Sequence, residues 1–147
     1  MKRLTCMILA LCLVLTGLPF AFASEAPGSF GAYMTMAKLR AEYPEGTSWT
    51  NDNTYAWKGG IFDQGAGCAA FAFLLSDAVF GDLPARMLTE VPAENLRPGD
   101  ILRMNGNTHS VIVLQNTLYG IVIAEGNFNG SVHWDRVLSF ADADSAD

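Results

Sequence analysis

Cys68 is the residue of this chain best suited to covalent chemistry. It follows Gly65-Ala66-Gly67 and opens the run CAAFAFLLSDAVF, which ends at Phe80 before Gly81. A run that is apolar on nearly every side and stops at glycine reads as a buried helix. The sulfur then falls in the first turn. Unsatisfied N–H groups and the positive end of the helix dipole favour a thiolate there and lower the thiol pKa. The same N–H groups can hold the oxyanion of a tetrahedral intermediate, and Gly65 and Gly67 leave room for a substrate backbone. The competing reading of a lone thiol is a buried, inert cysteine; the glycines and the helix start favour a nucleophile.

A thiol nucleophile needs a base, and the chain has two histidines, His109 and His133. His109 begins an apolar segment and shares a face with Val111 and Val113. By default such a ring is a satisfied core histidine. A hairpin between residues 108–114 and 119–125 centred on Thr117 sets Leu114 across from Gly120 and His109 across from Glu125. A register shift of two residues sets Asn127 across from His109 instead, and a shift of odd parity destroys the arrangement. Either even register supplies nucleophile, base and orienting group. Cys68 attacks a carbonyl, His109 takes the thiol proton and returns it to the leaving amine, and Glu125 or Asn127 fixes the imidazole tautomer.

The elements that must position these groups are legible in outline. Residues 30–43 read as a first helix, with Tyr33, Met36, Ala37 and Arg40 at helical spacing and Pro44 after its end. Residues 44–67 form a long polar connection carrying Trp49, Tyr55 and Trp57. Leu96-Arg97-Pro98-Gly99-Asp100 turns into a strand over 101–104, and Asn105-Gly106-Asn107 is a tight turn. Segments 108–114, 119–125 and 131–134 complete an antiparallel meander. Helices first and sheet second make an α+β domain.

Composition bounds the setting. Met1-Lys2-Arg3 precedes a charge-free apolar run from Met7 to Leu15, and Ala21-Phe22-Ala23 supplies a small-x-small cleavage site. Residues 1–23 therefore read as a secretory signal peptide. The apolar stretch is shorter than the roughly 20 residues of a spanning helix, so no stable membrane insertion follows cleavage. Bulky Leu11 before Cys12 argues against a lipoprotein route. Residues 24–140 are expected to form one catalytic domain, and the acidic tail 141–147 to fray. Cys6 and Cys12 leave with the signal, so Cys68 has no disulfide partner. Loss of Lys2 and Arg3 takes the net charge from −6 to −8. That balance disfavours nucleic acid as a partner.

Other residues have plainer readings. Trp49, Tyr55 and Trp57 form either a stacking wall for a sugar or peptide, or packing for the long loop. Packing suits two of them, and Trp57, nearest Cys68, is the substrate-side candidate. Asn51-Asp52-Asn53 lacks the rest of a calcium loop and reads as a solvated turn. Cys68, His109 and His133 lack the short spacing of a zinc site, so no metal or cofactor is called for. Asp77, inside the apolar helix, either accepts a backbone N–H or faces water.

The chain resembles the CHAP amidases, within the wider NlpC/P60 and papain-like group. The matching residues are Gly67-Cys68-Ala69-Ala70-Phe71, then Leu96-Arg97-Pro98-Gly99-Asp100-Ile101. His109-Ser110-Val111-Ile112-Val113 and Ile123-Ala124-Glu125-Gly126-Asn127 follow. The CHAP pattern of Cys, His and then Glu-x-Asn is present in order, and the resemblance covers roughly residues 56–140. It implies a papain-like fold, and hydrolysis of an amide bond in bacterial peptidoglycan or its peptide stems by a secreted, monomeric enzyme in the cell wall or periplasm. Many CHAP members carry Gln directly before the Cys. This chain has Gly67 there and Gln64 earlier, which makes Gln64 a candidate oxyanion donor. The rival expectations are a catalytically silent wall-binding module with the same fold, and a toxin-type hydrolase acting on another cell's wall.

Overall fold

The computed structural model describes residues 29–145. The signal-peptide reading, with Cys6, Cys12 and the cleavage near Ser24, lies outside the described residues, as do the last two residues of the tail.

The chain opens with α1, Ser29–Glu42. Its inward stripe is Ala32, Met36 and Leu39; Tyr33, Ala37 and Arg40 are exposed. The i, i+4, i+7 set therefore faces in, one residue away from the spacing read in the sequence for Tyr33. The connection that follows is not plain loop. It contains a small antiparallel hairpin, β1 (Thr54–Ala56) and β2 (Gln64–Ala66), with Thr54 opposite Ala66 and Ala56 opposite Gln64. Three-residue strands are too short to show alternation, which is why the sequence reads as loop there.

Helix α2, Cys68–Phe80, occupies the expected residues. It packs on α1, on the hairpin and on β4 and β5. Strands β3 (Ile101–Met104), β4 (His109–Thr117), β5 (Gly120–Phe128) and β6 (Ser131–Leu138) form one antiparallel sheet in that order. The protein is thus α+β, with three α-helices and two antiparallel sheets among the described residues. The sheet has a core on each face, because alternate residues point to opposite sides. Ile112, Ala124, Val132 and Trp134 meet Phe71 and Leu75 of α2. Val111, Val113, Ile121 and Ile123 meet Leu102, Leu138 and the segment around Ala93.

The β4–β5 hairpin is tighter than expected. Thr117 pairs with Gly120 around exposed Leu118 and Tyr119, and an irregularity between Val113 and Gln115 then brings Ile112 opposite Ala124. An extra residue at a bulge changes the register by one, which turns the odd parity at the tip back to even. Carried on, the Ile112–Ala124 pairing sets position 109 opposite 127, the two-residue-shifted register. The tail also differs from expectation. Phe140–Asp144 form a short helix, α3, closed by a Ser139–Asp142 capping box. Ala143 is buried and Asp144 Oδ1 accepts the Ala93 N–H at 2.7 Å. A capped turn docked by an apolar residue holds where an acidic tail alone would fray.

Phe71 anchors the α2 side. It is fully buried, and Tyr43, Trp49 and Trp134 meet it edge-on, Trp49 at 5.1 Å between centroids. Phe71→Ala should cost about 3–5 kcal/mol in a urea titration. A loss under about 1 kcal/mol would mean that these rings do not share one core.

Candidate active site

Cys68 is the first residue of α2, preceded by Gly67 at φ 55° and ψ −124°. Positive φ is costly for a residue with a Cβ, and space forbids one as well. A Cβ on Gly67 would lie 2.4 Å from Asn51 Oδ1 and 2.8 Å from Asn127 Nδ2. The backbone of Gly67 is fully engaged. Its N–H donates to Asn53 O (2.9 Å), and its carbonyl accepts from Trp49 Nε1 (2.9 Å) and the Phe71 N–H (3.1 Å). Gly67 therefore aims the thiol rather than binding an oxyanion. At Gly67 the expected room for a substrate backbone is taken up by internal packing. At Gly65 a Cβ would lie 2.7 Å from the Phe73 ring, so only glycine fits there, yet Gly65 itself lines a cavity.

The thiol meets the start of β4. Sγ lies 4.0 Å from the Thr108 carbonyl oxygen, and it is a partner of the His109 ring and of the Ser110 and Ala69 N–H groups. Burial is the largest single influence on the thiol and pushes its pKa up. The His109 bond, the Ser110 N–H, the imidazolium charge and the Ala69 N–H together outweigh it and bring the thiol below its ordinary value. Ala69 N–H belongs to the first turn of α2, so a helix-start N–H is the smallest of the influences that favour the thiolate.

His109 Nε2 lies 2.7 Å from Glu125 Oε2. With Nε2 on the carboxylate, Nδ1 is left to serve the thiol. The bond with Cys68 and then the bond with Glu125 raise the imidazole pKa to about 9, against burial. Glu125 has no exposed side-chain surface. Burial pushes its carboxyl up, but the His109 bond and Arg136 hold it below its ordinary value. Arg136 on β6 donates from Nε to Oε1 at 2.5 Å and from Nη2 to Oε2 at 2.7 Å.

Of the two orienting candidates, Glu125 holds the ring. Asn127 adopts φ 58°, which breaks the strand alternation and turns its side chain to the Cys68 side. There Nδ2 donates to Asn51 Oδ1 at 2.7 Å. Asn127 thus locks the loop over Gly67 instead of touching His109. Gln64 sits exposed at the start of β2 and lines a cavity of about 830 Å³, together with Gly65, Ala66, Ala69, Arg103 and Asn107; Cys68 and His109 are not part of its lining. Trp57 lines the same cavity, but its ring is stacked on Phe73 (4.0 Å, 9°). Gly60 crowds it too, since a Cβ there would fall 2.1 Å from Cδ2. One face of the Trp57 ring is thus covered by Phe73, and the residue is half-buried.

Trp49 is buried and Tyr55 packs against the α2 core, in line with packing for two of the three aromatics. The Asn51 turn is closed by Asn53, whose Oδ1 accepts the Thr50 N–H at 2.8 Å. Asp77 accepts the Lys58 and Gly59 N–H groups at 2.8 and 3.3 Å, so it braces the hairpin. His133 stands outside the thiol site. Its Nδ1 lies 2.7 Å from Glu45 Oε1 and its Nε2 3.0 Å from Ser131 Oγ. Among the described residues no group of three or more His, Cys, Asp or Glu could hold a metal ion.

Sequence reasoning missed two contributors, Arg136 and Asn51. The signal for Arg136 was available: a hairpin about Asn129-Gly130 brings Glu125 and Arg136 diagonally together on one face. Nothing in the sequence pointed to Asn51, because its pairing with Asn127 depends on a positive-φ residue. Comparisons with protein families, with curated proteins and with solved structures find no match.

The assignment of Glu125 predicts a titration. Glu125→Gln removes a charge that favours the imidazolium, so the His109 midpoint should fall from about 9 by roughly one unit or more. The ring C–H resonance in NMR reads it, and an unmoved midpoint would show that the carboxylate does not hold the ring.

Proposed function

We propose that this protein is a secreted cysteine amidase or endopeptidase of papain-like, CHAP-type fold that hydrolyses amide bonds in bacterial peptidoglycan. One observation carries the reading: a thiol at a helix start, an imidazole beside it and a buried carboxylate 2.7 Å behind the imidazole. Nucleophile, base and orienting group in hydrogen-bond series are what acyl transfer through a thioester needs. The order Cys68, His109, Glu125-x-Asn127 supports the CHAP type, and the peptidoglycan substrate rests on that resemblance.

The steps follow from the geometry. Thiolate and imidazolium form the resting pair. Sγ attacks the carbonyl carbon, and the developing oxyanion is met by N–H groups at the start of α2. As the C–N bond breaks, His109 gives its Nδ1 proton to the leaving amine and the acyl group stays on Cys68. His109 then takes a proton from water, which attacks the thioester and frees the thiol. The cavity lined by Gln64, Ala66 and Ala69, the last two flanking the Gly67-Cys68 pair in the chain, receives part of the substrate.

Incubation with purified peptidoglycan, followed by mass spectrometry of the fragments, tests this. Release of fragments with new amine and carboxyl ends is expected, and Cys68→Ala should abolish it while the protein stays folded. The rate should rise with pH as the thiol ionises, below its ordinary value, and fall as His109 loses its proton near pH 9. Wall binding without cleavage would favour the silent binding module. Free amines matching saccharide–peptide cleavage would mark an amidase, and cleaved stems an endopeptidase.

A further inference from the structure

We propose that Arg136 is a positioning residue for the Cys68–His109 pair, gripping Glu125 so that one carboxylate oxygen faces the imidazole and balancing the carboxylate's charge. This rests on the function proposed above and adds a residue to its machinery.

Glu125 lies in a place where a lone carboxylate would be costly. Its side chain has no exposed surface, and its two oxygens have three donors between them. Arg136 takes both oxygens with its fork, and His109 Nε2 shares Oε2. The last torsion of a glutamate is soft, so a carboxylate held by His109 alone could turn and present either oxygen. A two-pronged guanidinium removes that freedom.

Arg136 ends partly in water, its side chain 37% exposed. Its Cζ lies 5.4 Å from the centre of the Phe128 ring, and that ring lies 6.3 Å from His109. Phe128 therefore roofs both ends of the relay. Guanidinium stays charged throughout the working range, so the grip does not titrate.

The charges around His109 come from every neighbouring element. Cys68 faces it from α2, Glu125 from β5 and Arg136 from β6. Arg103 stands on β3, bonded to Ser110 and Asn107. His133 lies beyond Phe128, bonded to Glu45. Thiolate, imidazolium, carboxylate and guanidinium sum to zero. Without the guanidinium, the relay carries a net negative charge that binds the imidazolium proton more tightly. His109 then becomes a poorer acid toward the leaving amine. The effect belongs to kcat, because Arg136 bonds Glu125 and reaches the imidazole only through it.

The test compares Arg136→Gln and Arg136→Lys with the parent protein. NMR titration of the His109 ring and the hydrolysis of a soluble muropeptide are both followed. Arg136→Gln should raise the ring midpoint by about one pH unit, given a unit charge removed at this range. It should lower kcat about tenfold at nearly constant KM. Arg136→Lys keeps the charge but not the fork, so the midpoint should return while kcat stays several-fold low. An Arg136→Gln midpoint and kcat like the parent's would overturn the proposal. Equal losses in both variants at an unmoved midpoint, with a lower melting temperature, would also overturn it and leave Arg136 a purely structural residue. Muropeptide hydrolysis that survives Cys68→Ala would instead sink the thiol mechanism, and the NMR arm would still report on Arg136.

Discussion

A carboxylate removed from water must be paired on nearly every lone pair, or it takes a proton. Glu125 is that carboxylate here. It sits at the end of the central hairpin, with an imidazole on one strand and a guanidinium on the other. The pairing works only because β4, β5 and β6 hold their registers against one another. The bulge in the β4–β5 ladder restores even parity, and the irregularities in the β5–β6 ladder set Glu125 opposite His133 with Arg136 two strand positions away. The sheet's irregular places therefore belong to the site as much as its regular ones do.

The helix half of the site is fixed by a different constraint. The dipole and free N–H groups of α2 help a thiolate only if the chain enters the helix in one direction. Gly67 sets that direction with a conformation that excludes side chains, and Trp49, Asn53, Asn51 and Asn127 surround it. Asn127 thus joins the two halves: it follows Glu125 on β5 and closes on the loop before Cys68. In the Glu-x-Asn pair, one residue serves the imidazole and the other the loop before Cys68.

Much of this was legible in the residues. The span of α2 followed from an apolar run bounded by glycines, and β3 from the turn before it. Cys68, His109 and Glu125 were identifiable because strand alternation and helix-end chemistry are local rules. The choice between Glu125 and Asn127 was not legible. It depends on a left-handed backbone at Asn127, which nothing in the alternation signals. The β1–β2 hairpin was hidden by strands too short to show a period. Helix α3 was hidden by acidic composition, and its Ser139–Asp142 cap went unread in the sequence. Trp57, read as a substrate-side candidate for its nearness to Cys68, lines the cavity, but its stacking on Phe73 across the hairpin–helix junction is tertiary and was not legible.

The central claim is that Cys68 and His109 share a proton as thiolate and imidazolium. The ultraviolet absorbance of the thiolate, followed against pH in the parent protein and in His109→Ala, measures that sharing directly. The thiolate should form below the ordinary thiol range in the parent, and its midpoint should move up when the imidazole is removed. An ordinary midpoint, the same in both proteins, would contradict the account.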